Sequence, residues 1–229
     1  MGTTVLPPAE WLSHALLGLG PGERVCATGI PWSVYTGLVD LRDARRPGVK
    51  ITFDRGRMEI VSPSFRHEKP NLRLALIVIT LVEELGLRLV SARSTTFRRE
   101  QAEQGLKPDD CFYVSHAATM VDVEDIDLSI HPPPDLVIEV DVTSSSVPKE
   151  PIYGPMGVPE LWRHEDGEVT IRILQPDRIY QSADHSLAFP QVTAEDLGRL
   201  LVQTNHPDDI AAIRNYRAWA RTLVPPANP

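Results

Sequence analysis

The sequence predicts an α/β fold, a mixed sheet with helices packed on it. Three patterns carry that expectation. Residues 134–142 read as a strand with one oily and one acidic face, and residues 71–85 form an apolar run of helical length. Pairs of short strands joined by tight turns stand on either side of these two.

In chain order, residues 9–17 predict a short amphipathic helix with Trp11, Leu12, Ala15 and Leu16 on one face, ended by Gly18, Gly20, Pro21 and Gly22. Residues 27–31 are rich in turn formers and lead to a second helix from Trp32, which ends by Arg46-Pro47-Gly48. Residues 49–53 and 57–61 predict a hairpin around Asp54-Arg55-Gly56. Ser62-Pro63-Ser64 breaks that pattern. The run 71–85 is apolar nearly all round and stops at Gly86, which favours a buried helix over a strand. Strands follow at 87–91, 109–114 and 135–142. Ser146 ahead of Pro148 signals a helix start, and Pro151 and Pro155 keep that helix short. A second hairpin spans 160–164 and 168–174 around Glu165-Asp166-Gly167. Helices at 194–201 and 208–223 close the chain before a loose tail at 225–229.

At 229 residues the chain is read as one domain, with a core at 30–192 and C-terminal helices at 193–223. No run is apolar enough to cross a membrane, and no signal peptide stands at the start. Met1-Gly2 opens like a myristoylation site, but Leu6 stands where a hydroxyl is wanted. Cys26 and Cys111 lie far apart and form no redox pair, so a reduced, cytoplasmic setting is expected. The net charge of −8 argues against a protein that coats duplexes. That charge is uneven: basic residues, including Arg45, Arg46, Lys50, Arg55, Arg57, Arg66, Arg73, Arg88, Arg93, Arg98 and Arg99, outnumber acids from Arg42 to Lys107. From Asp109 to Glu168 only Lys149 and Arg163 are basic. Basic flanks around an acidic pocket suit a polyanionic substrate. The plainer reading of each arginine is a solvated surface charge.

Alternation along 134–142 puts Leu136, Ile138, Val140 and Val142 on one face and Asp135, Val137, Glu139 and Asp141 on the other. Three carboxylates on one face repel unless a cation sits among them, and a divalent metal is the obvious candidate. A second strand, opening at Lys107-Pro108-Asp109-Asp110, could lie beside the first with converging carboxylates. The plainer alternative is an acidic face exposed to water.

Together the segments become recognisable. They are Gly56-Arg57-Met58-Glu59-Ile60-Val61-Ser62-Pro63-Ser64 with His67-Glu68, then Lys107-Pro108-Asp109, then Pro134-Asp135-Leu136-Val137-Ile138-Glu139-Val140. After these come Asp141 to Ser146, Lys149, Ile152-Tyr153, and Gly157-Val158-Pro159-Glu160-Leu161-Trp162-Arg163. In this order they resemble the Uma-two family of endonucleases, within the PD-(D/E)XK nuclease superfamily, over residues 30–220. The resemblance implies a restriction-endonuclease-like mixed sheet flanked by helices. It implies hydrolysis of nucleic-acid phosphodiesters, with DNA the expected substrate, assisted by Mg²⁺ with Mn²⁺ as substitute.

By the same resemblance Asp109 and Glu139 are metal ligands, the Val140 carbonyl is a possible third, and Asp141 can join the metal shell. Lys149 takes the place of the superfamily's lysine, since Asp141 stands where its motif expects Lys. Such a lysine orients the attacking water or steadies developing negative charge. Glu59 and His67 match the family's earlier motif and are expected beside the site. Their plainer readings are a solvated hairpin charge and a hydrogen bond at a helix start. Asp135 reads as a residue at the start of its strand, Ser144 to Ser146 as a polar turn with a helix cap, and Tyr153 and Trp162 as packing residues.

Phosphate loops, dinucleotide-binding glycine motifs and zinc spacings are absent from the sequence. Two rival functions stay open: a catalytically inactive nucleic-acid-binding module on the same fold, and a protein-interaction domain, a homodimer included, that offers its acidic face to a basic partner.

Overall fold

The computed structural model describes residues 9–141, 145–202 and 208–224. The elements run α1 (Ala9–Gly18), β1 (Arg24–Ala27), α2 (Trp32–Arg45), β2 (Lys50–Asp54), β3 (Arg57–Val61), α3 (Phe65–Glu84), β4 (Val90–Ser91), β5 (Phe97–Arg99) and β6 (Gln104–Leu106). They continue as β7 (Asp110–Tyr113), α4 (Ala117–Met120), β8 (Leu136–Asp141), α5 (Glu150–Met156), β9 (Glu160–Glu165), β10 (Glu168–Leu174), β11 (Tyr180–Ala183), α6 (Ala194–Val202) and α7 (Asp209–Thr222). The loose tail expected at 225–229 and the strand position Val142 lie outside the described residues.

The strands divide between two sheets. One is antiparallel, in the order β1-β3-β2-β6-β5; the other runs β11-β10-β9-β8-β7-β4. Its β8–β9 pair is parallel, and α5 lies in the connection between those strands. The fold is thus restriction-endonuclease-like, a mixed α/β architecture with helices flanking the sheets.

Both faces of β8 are covered. Leu136, Ile138 and Val140 pack with Leu74, Ile77, Val78 and Leu81 of α3, and α6 and α7 add Leu197 and Tyr216 to the same core. Val137 faces the other way, with Cys111, Leu106, Ile152, Tyr153 and Leu161. Burying each large aliphatic chain contributes about 1.5–3 kcal/mol, so both layers hold the strand in place. All six residues of β8 are buried as a result. The exposed acidic face that alternation alone allows is therefore ruled out. A third core joins Leu12, Leu16, Tyr35 and Leu38 to Ile51, Phe53, Met58 and Ile60 of the antiparallel sheet.

Both hairpins and both C-terminal helices form within a residue or two of expectation. Other elements differ for identifiable reasons. Helix α3 starts at Phe65 and takes Pro70 inside. Pro70 is the sixth residue of α3 and forgoes the one bond that its nitrogen would make to the Arg66 carbonyl, while the turn before it is closed by the Glu68 N–H on Ser64. The extra turn matters, since it carries His67 and Lys69. The strand expected at 87–91 shrinks to an edge pair at Val90–Ser91. Trp11 is half exposed while Leu12 and Leu16 are buried, so the buried stripe of α1 is narrower than expected.

Strands β1, β5, β6 and β11 escape sequence reading because they have three or four residues each and little alternation. In β6, Gly105 lies so close to Tyr35 that a Cβ there would fall 2.0 Å from its hydroxyl. Gly157, at φ +84°, ends α5 in the left-handed region and turns the chain into β9.

Candidate active site

Strands β7 and β8 are antiparallel neighbours, with Asp110 opposite Ile138 and Cys111 opposite Val137. Continuing that register by one residue brings Asp109 opposite Glu139, as the paired acidic strands imply. The two strands are locked at this point: Asp109 Oδ2 accepts a hydrogen bond from the Val140 N–H at 2.7 Å. Asp109 Oδ1 meets the ammonium of Lys50, from β2 of the other sheet, and His67 Nε2 of α3 at 3.0 Å. His67 therefore does more than start a helix.

Glu139 is 1% exposed. Its Oε1 accepts from the Tyr153 hydroxyl, and its Oε2 from Lys149 Nζ at 2.6 Å. Lys149 reaches on to Asp141 Oδ1 at 3.3 Å, while Arg163 holds Asp141 Oδ2 at 3.1 Å. Lys149 immediately precedes α5, and Tyr153 follows one helical turn later, so that short helix delivers both groups to one carboxylate.

A cavity of about 100 Å³ opens where the end of β8 meets the start of α3 and the first sheet, and it has room for several waters. Glu59, His67, Val140, Asp141, Lys149 and Lys50 all line it. Glu139 lines a neighbouring cavity on the other side of Lys149.

Glu59 is buried, not a solvated hairpin charge. Ser145 Oγ donates to its Oε2 at 2.6 Å, and the Ser146 N–H and hydroxyl donate to its Oε1, both at 2.9 Å. Arg24 stands 3.3 Å from the same carboxylate. Ser145 and Ser146 thus clamp Glu59 rather than cap α5, which has no side-chain cap. Ser144, the remaining residue of the serine run, lies outside the described residues.

The charge states follow from these contacts. Burial alone would pull the Lys149 ammonium down, but Glu139 and Asp141 outweigh it and hold its pKa above the ordinary lysine value. Lys149 therefore stays protonated. Lys50 goes the other way: burial, with Lys149 and Lys107 adding to it, brings its ammonium down to about 7 against the pull of Glu139 and Glu68. Burial pushes the Asp141 carboxyl up, yet Lys149 and Arg163 overcome this and leave it below the usual range. Glu59 is likewise driven up by burial and brought below its ordinary value by Ser145 and Ser146.

Buried carboxylates on two adjacent strands are the right donor chemistry for Mg²⁺, which prefers a few hard oxygens and keeps several waters. In kind the residues fit. In arrangement, no group of three or more His, Cys, Asp or Glu side chains among the described residues is gathered to hold a metal. Lys50 and Lys149 instead balance Asp109, Glu139 and Asp141.

Asp135 and Trp162 play the structural parts expected of them. Asp135 accepts from the Val114 and His116 N–H groups and pairs with the His116 ring, while Trp162 is buried in the core. Few of the basic residues between Arg42 and Lys107 flank the site. Arg42 is fully buried and donates to Thr96, Arg55 and Arg57 serve Asp54, and Arg93 serves Asp110. Lys50 and Lys107 line the cavity.

Sequence reasoning passed over the roles of Lys50, Arg24, Ser145 and Tyr153. The Tyr153 hydroxyl had a signal, since a buried phenol nearly always finds a partner. Lys50 had a weaker one, a lone charge inside the apolar stretch Val49-Lys50-Ile51.

The model of the Uma2 family, described as "Putative restriction endonuclease", matches residues 38–202, which hold Asp109, Glu139, Lys149, Glu59 and His67. No curated protein matches the chain. Among the described residues, no helix is long and apolar enough to cross a membrane. With more than half of its length matched by that model, and with a restriction-endonuclease-like fold, the chain belongs to the Uma2 family.

Proposed function

We propose that this protein is a Mg²⁺-dependent endonuclease that hydrolyses phosphodiesters of DNA. What supports the reading is the β7–β8 register, in which Asp110 pairs with Ile138 so that the next position would set Asp109 beside Glu139, together with the Lys149 ammonium that donates to Glu139. Asp109 and Glu139 would hold the metal, with Asp141 and the Val140 carbonyl as further oxygens beside them. When bound, Mg²⁺ supplies Lewis-acid polarisation of a phosphoryl oxygen and a water acidic enough to attack at neutral pH.

The chain's own residues do the rest. Lys149 remains an ammonium, so it serves to steady negative charge developing on the phosphate, not to take a proton. Tyr153 fixes one oxygen of Glu139 and thereby aims the other at Lys149. His67 orients Asp109 from the first turn of α3. Glu59, clamped by Ser145 and Ser146, anchors the segment after β8 against β3.

The test is Mn²⁺ calorimetry on wild type and Glu139→Gln, paired with cleavage of plasmid DNA. Saturable binding and cleavage in wild type, both lost in a folded mutant, support the reading. A folded wild type that binds no Mn²⁺, with or without DNA, and cuts nothing overturns it.

One observation favours a second reading, an inactive nucleic-acid-binding module. The site's carboxylates are already balanced by lysines, and burial of paired charge needs no metal. That module binds DNA in EDTA and never cuts it. A homodimer belongs to either reading, and light scattering on the eluting protein measures it.

A further inference from the structure

We propose that a second cavity, lined by Lys69, Arg73 and His164, is a phosphate subsite that holds the polynucleotide backbone beside the candidate centre. The class of occupant rests on the nuclease reading; the site itself rests on its own geometry. The cavity has about 230 Å³ and lies between the first half of α3, β9 and the end of α6, with Pro70 and Leu201 completing its described lining. Lys69 and Arg73 bring cationic groups, His164 brings an imidazole that burial and His67 hold below its ordinary pKa, and none of the five is acidic.

Two of the basic groups hold buried, unsatisfied nitrogens. Arg73 spends Nη2 on Asp209 at 2.8 Å, while its Nε is buried without a hydrogen-bond partner. His164 Nδ1 is buried and equally without one. The Arg73 N–H costs about 1–3 kcal/mol when left unmade and calls for an acceptor, while the His164 nitrogen donates or accepts according to the tautomer of its ring. Lys69 is exposed at the rim. The nearby acid, Asp209, is itself half exposed and already taken by Arg73. An acceptor-rich anion answers this set best, and a guanidinium fork matches phosphate in shape as well as charge.

Position selects a backbone phosphate as the source. His164 on β9 pairs with Val140 on β8, and the Val140 N–H holds Asp109. Neighbouring strands stand about 4.8 Å apart, so the His164 backbone lies within one nucleotide's reach of the Val140 N–H that holds Asp109. Helix α3 bridges the two places from one end: His67 touches Asp109, and Lys69 and Arg73 follow it into the second cavity. A strand whose scissile phosphate lies at Asp109 and Glu139 thus runs over the start of α3 and sets a neighbouring phosphate on Arg73 and Lys69.

The experiment uses the full chain and two probes. Inorganic phosphate is titrated while the His164 ring is followed by NMR. A short fluorescein-labelled DNA strand is titrated in EDTA at several salt concentrations. Lys69→Gln and Arg73→Gln are compared with wild type, and Lys69→Gln carries the test if loss of the Asp209 pair unfolds the other variant. Expected are a saturable ring shift in wild type that weakens in the variants, DNA affinity lowered severalfold, and a salt slope reduced by about one.

A wild type whose ring ignores phosphate overturns the site. A phosphate response with unchanged DNA affinity and salt slope in the variants overturns the backbone occupant. A wild type that cuts no DNA, yet binds phosphate in a Lys69-dependent way, removes the nuclease reading and leaves the anion site standing.

Discussion

Two buried glutamates on adjacent strands, Glu139 of β8 and Glu160 of β9, are 1% and 0% exposed, yet their surroundings are opposite in kind. Glu160 is held by neutral donors: Trp162 Nε1 at 2.7 Å and the N–H groups of Leu187 and Ala188 at 3.0 and 2.8 Å. With no cation among these donors, burial dominates and raises its carboxyl above the ordinary value. Glu160 pins residues 186–189 to the sheet. Glu139 has a lysine and a tyrosine, and the lysine is shared with Asp141. Burial by itself does not mark an acid as functional. Neutral donors alone hold Glu160, whereas Glu139 is held by a cation that it shares with a second acid.

The largest effect that sharpens this contrast is expected from Lys149→Ala. It abolishes cleavage and leaves Glu139 and Asp141 buried without their shared cation, a loss of about 3–5 kcal/mol in urea unfolding. The double variant with Glu139→Gln recovers part of that loss. An active Lys149→Ala enzyme sinks the role given to Lys149.

Glu160→Ala comes next. It strands two backbone N–H groups and the Trp162 indole, at about 1–3 kcal/mol for each left unmade. Mn²⁺ binding per folded molecule stays at the wild-type value, and the comparison breaks if metal affinity falls with stability.

Tyr153→Phe removes one donor from Glu139 and is expected to destabilise by about 1–2 kcal/mol, with a lower kcat and little change in KM for DNA. Equal loss of binding and rate would move Tyr153 from aiming Glu139 to general packing.

The smallest effect concerns pH. Glu59 has a folded pKa below its ordinary value of 4.5, so its contribution to stability is full above that value and is lost as pH falls through the folded pKa. Wild type therefore loses stability on acidification more steeply than Glu59→Gln. Thermal melts between pH 6 and pH 3, about the carboxylate titration range, measure the difference. Parallel curves for the two proteins would mean that Ser145 and Ser146 do not favour the charged form.

Much of this molecule was readable along the chain. The β2–β3 and β9–β10 hairpins, the buried helix α3 and the two-faced strand β8 follow from periodicity and turn chemistry, which act over a few residues. The resemblance in motif order named Asp109, Glu139, Lys149, Glu59 and His67; the last four line the two cavities, and Asp109, just before β7, accepts from the Val140 N–H of β8. Short strands with little alternation were not readable, since three residues carry too little pattern to outweigh their neighbours.

The sequence by itself determined the α/β class, the family and the acids of the candidate site. Tertiary structure alone decided what each acid touches. Ser145 reaches Glu59 across 86 residues, and Asp109 meets a lysine from the other sheet. It also decided that the acidic face of β8 is buried, because α5 and β6 cover it. The physical reason is range: backbone propensity is fixed by near neighbours, whereas the partner of a buried charge is fixed by strand register and packing between distant segments.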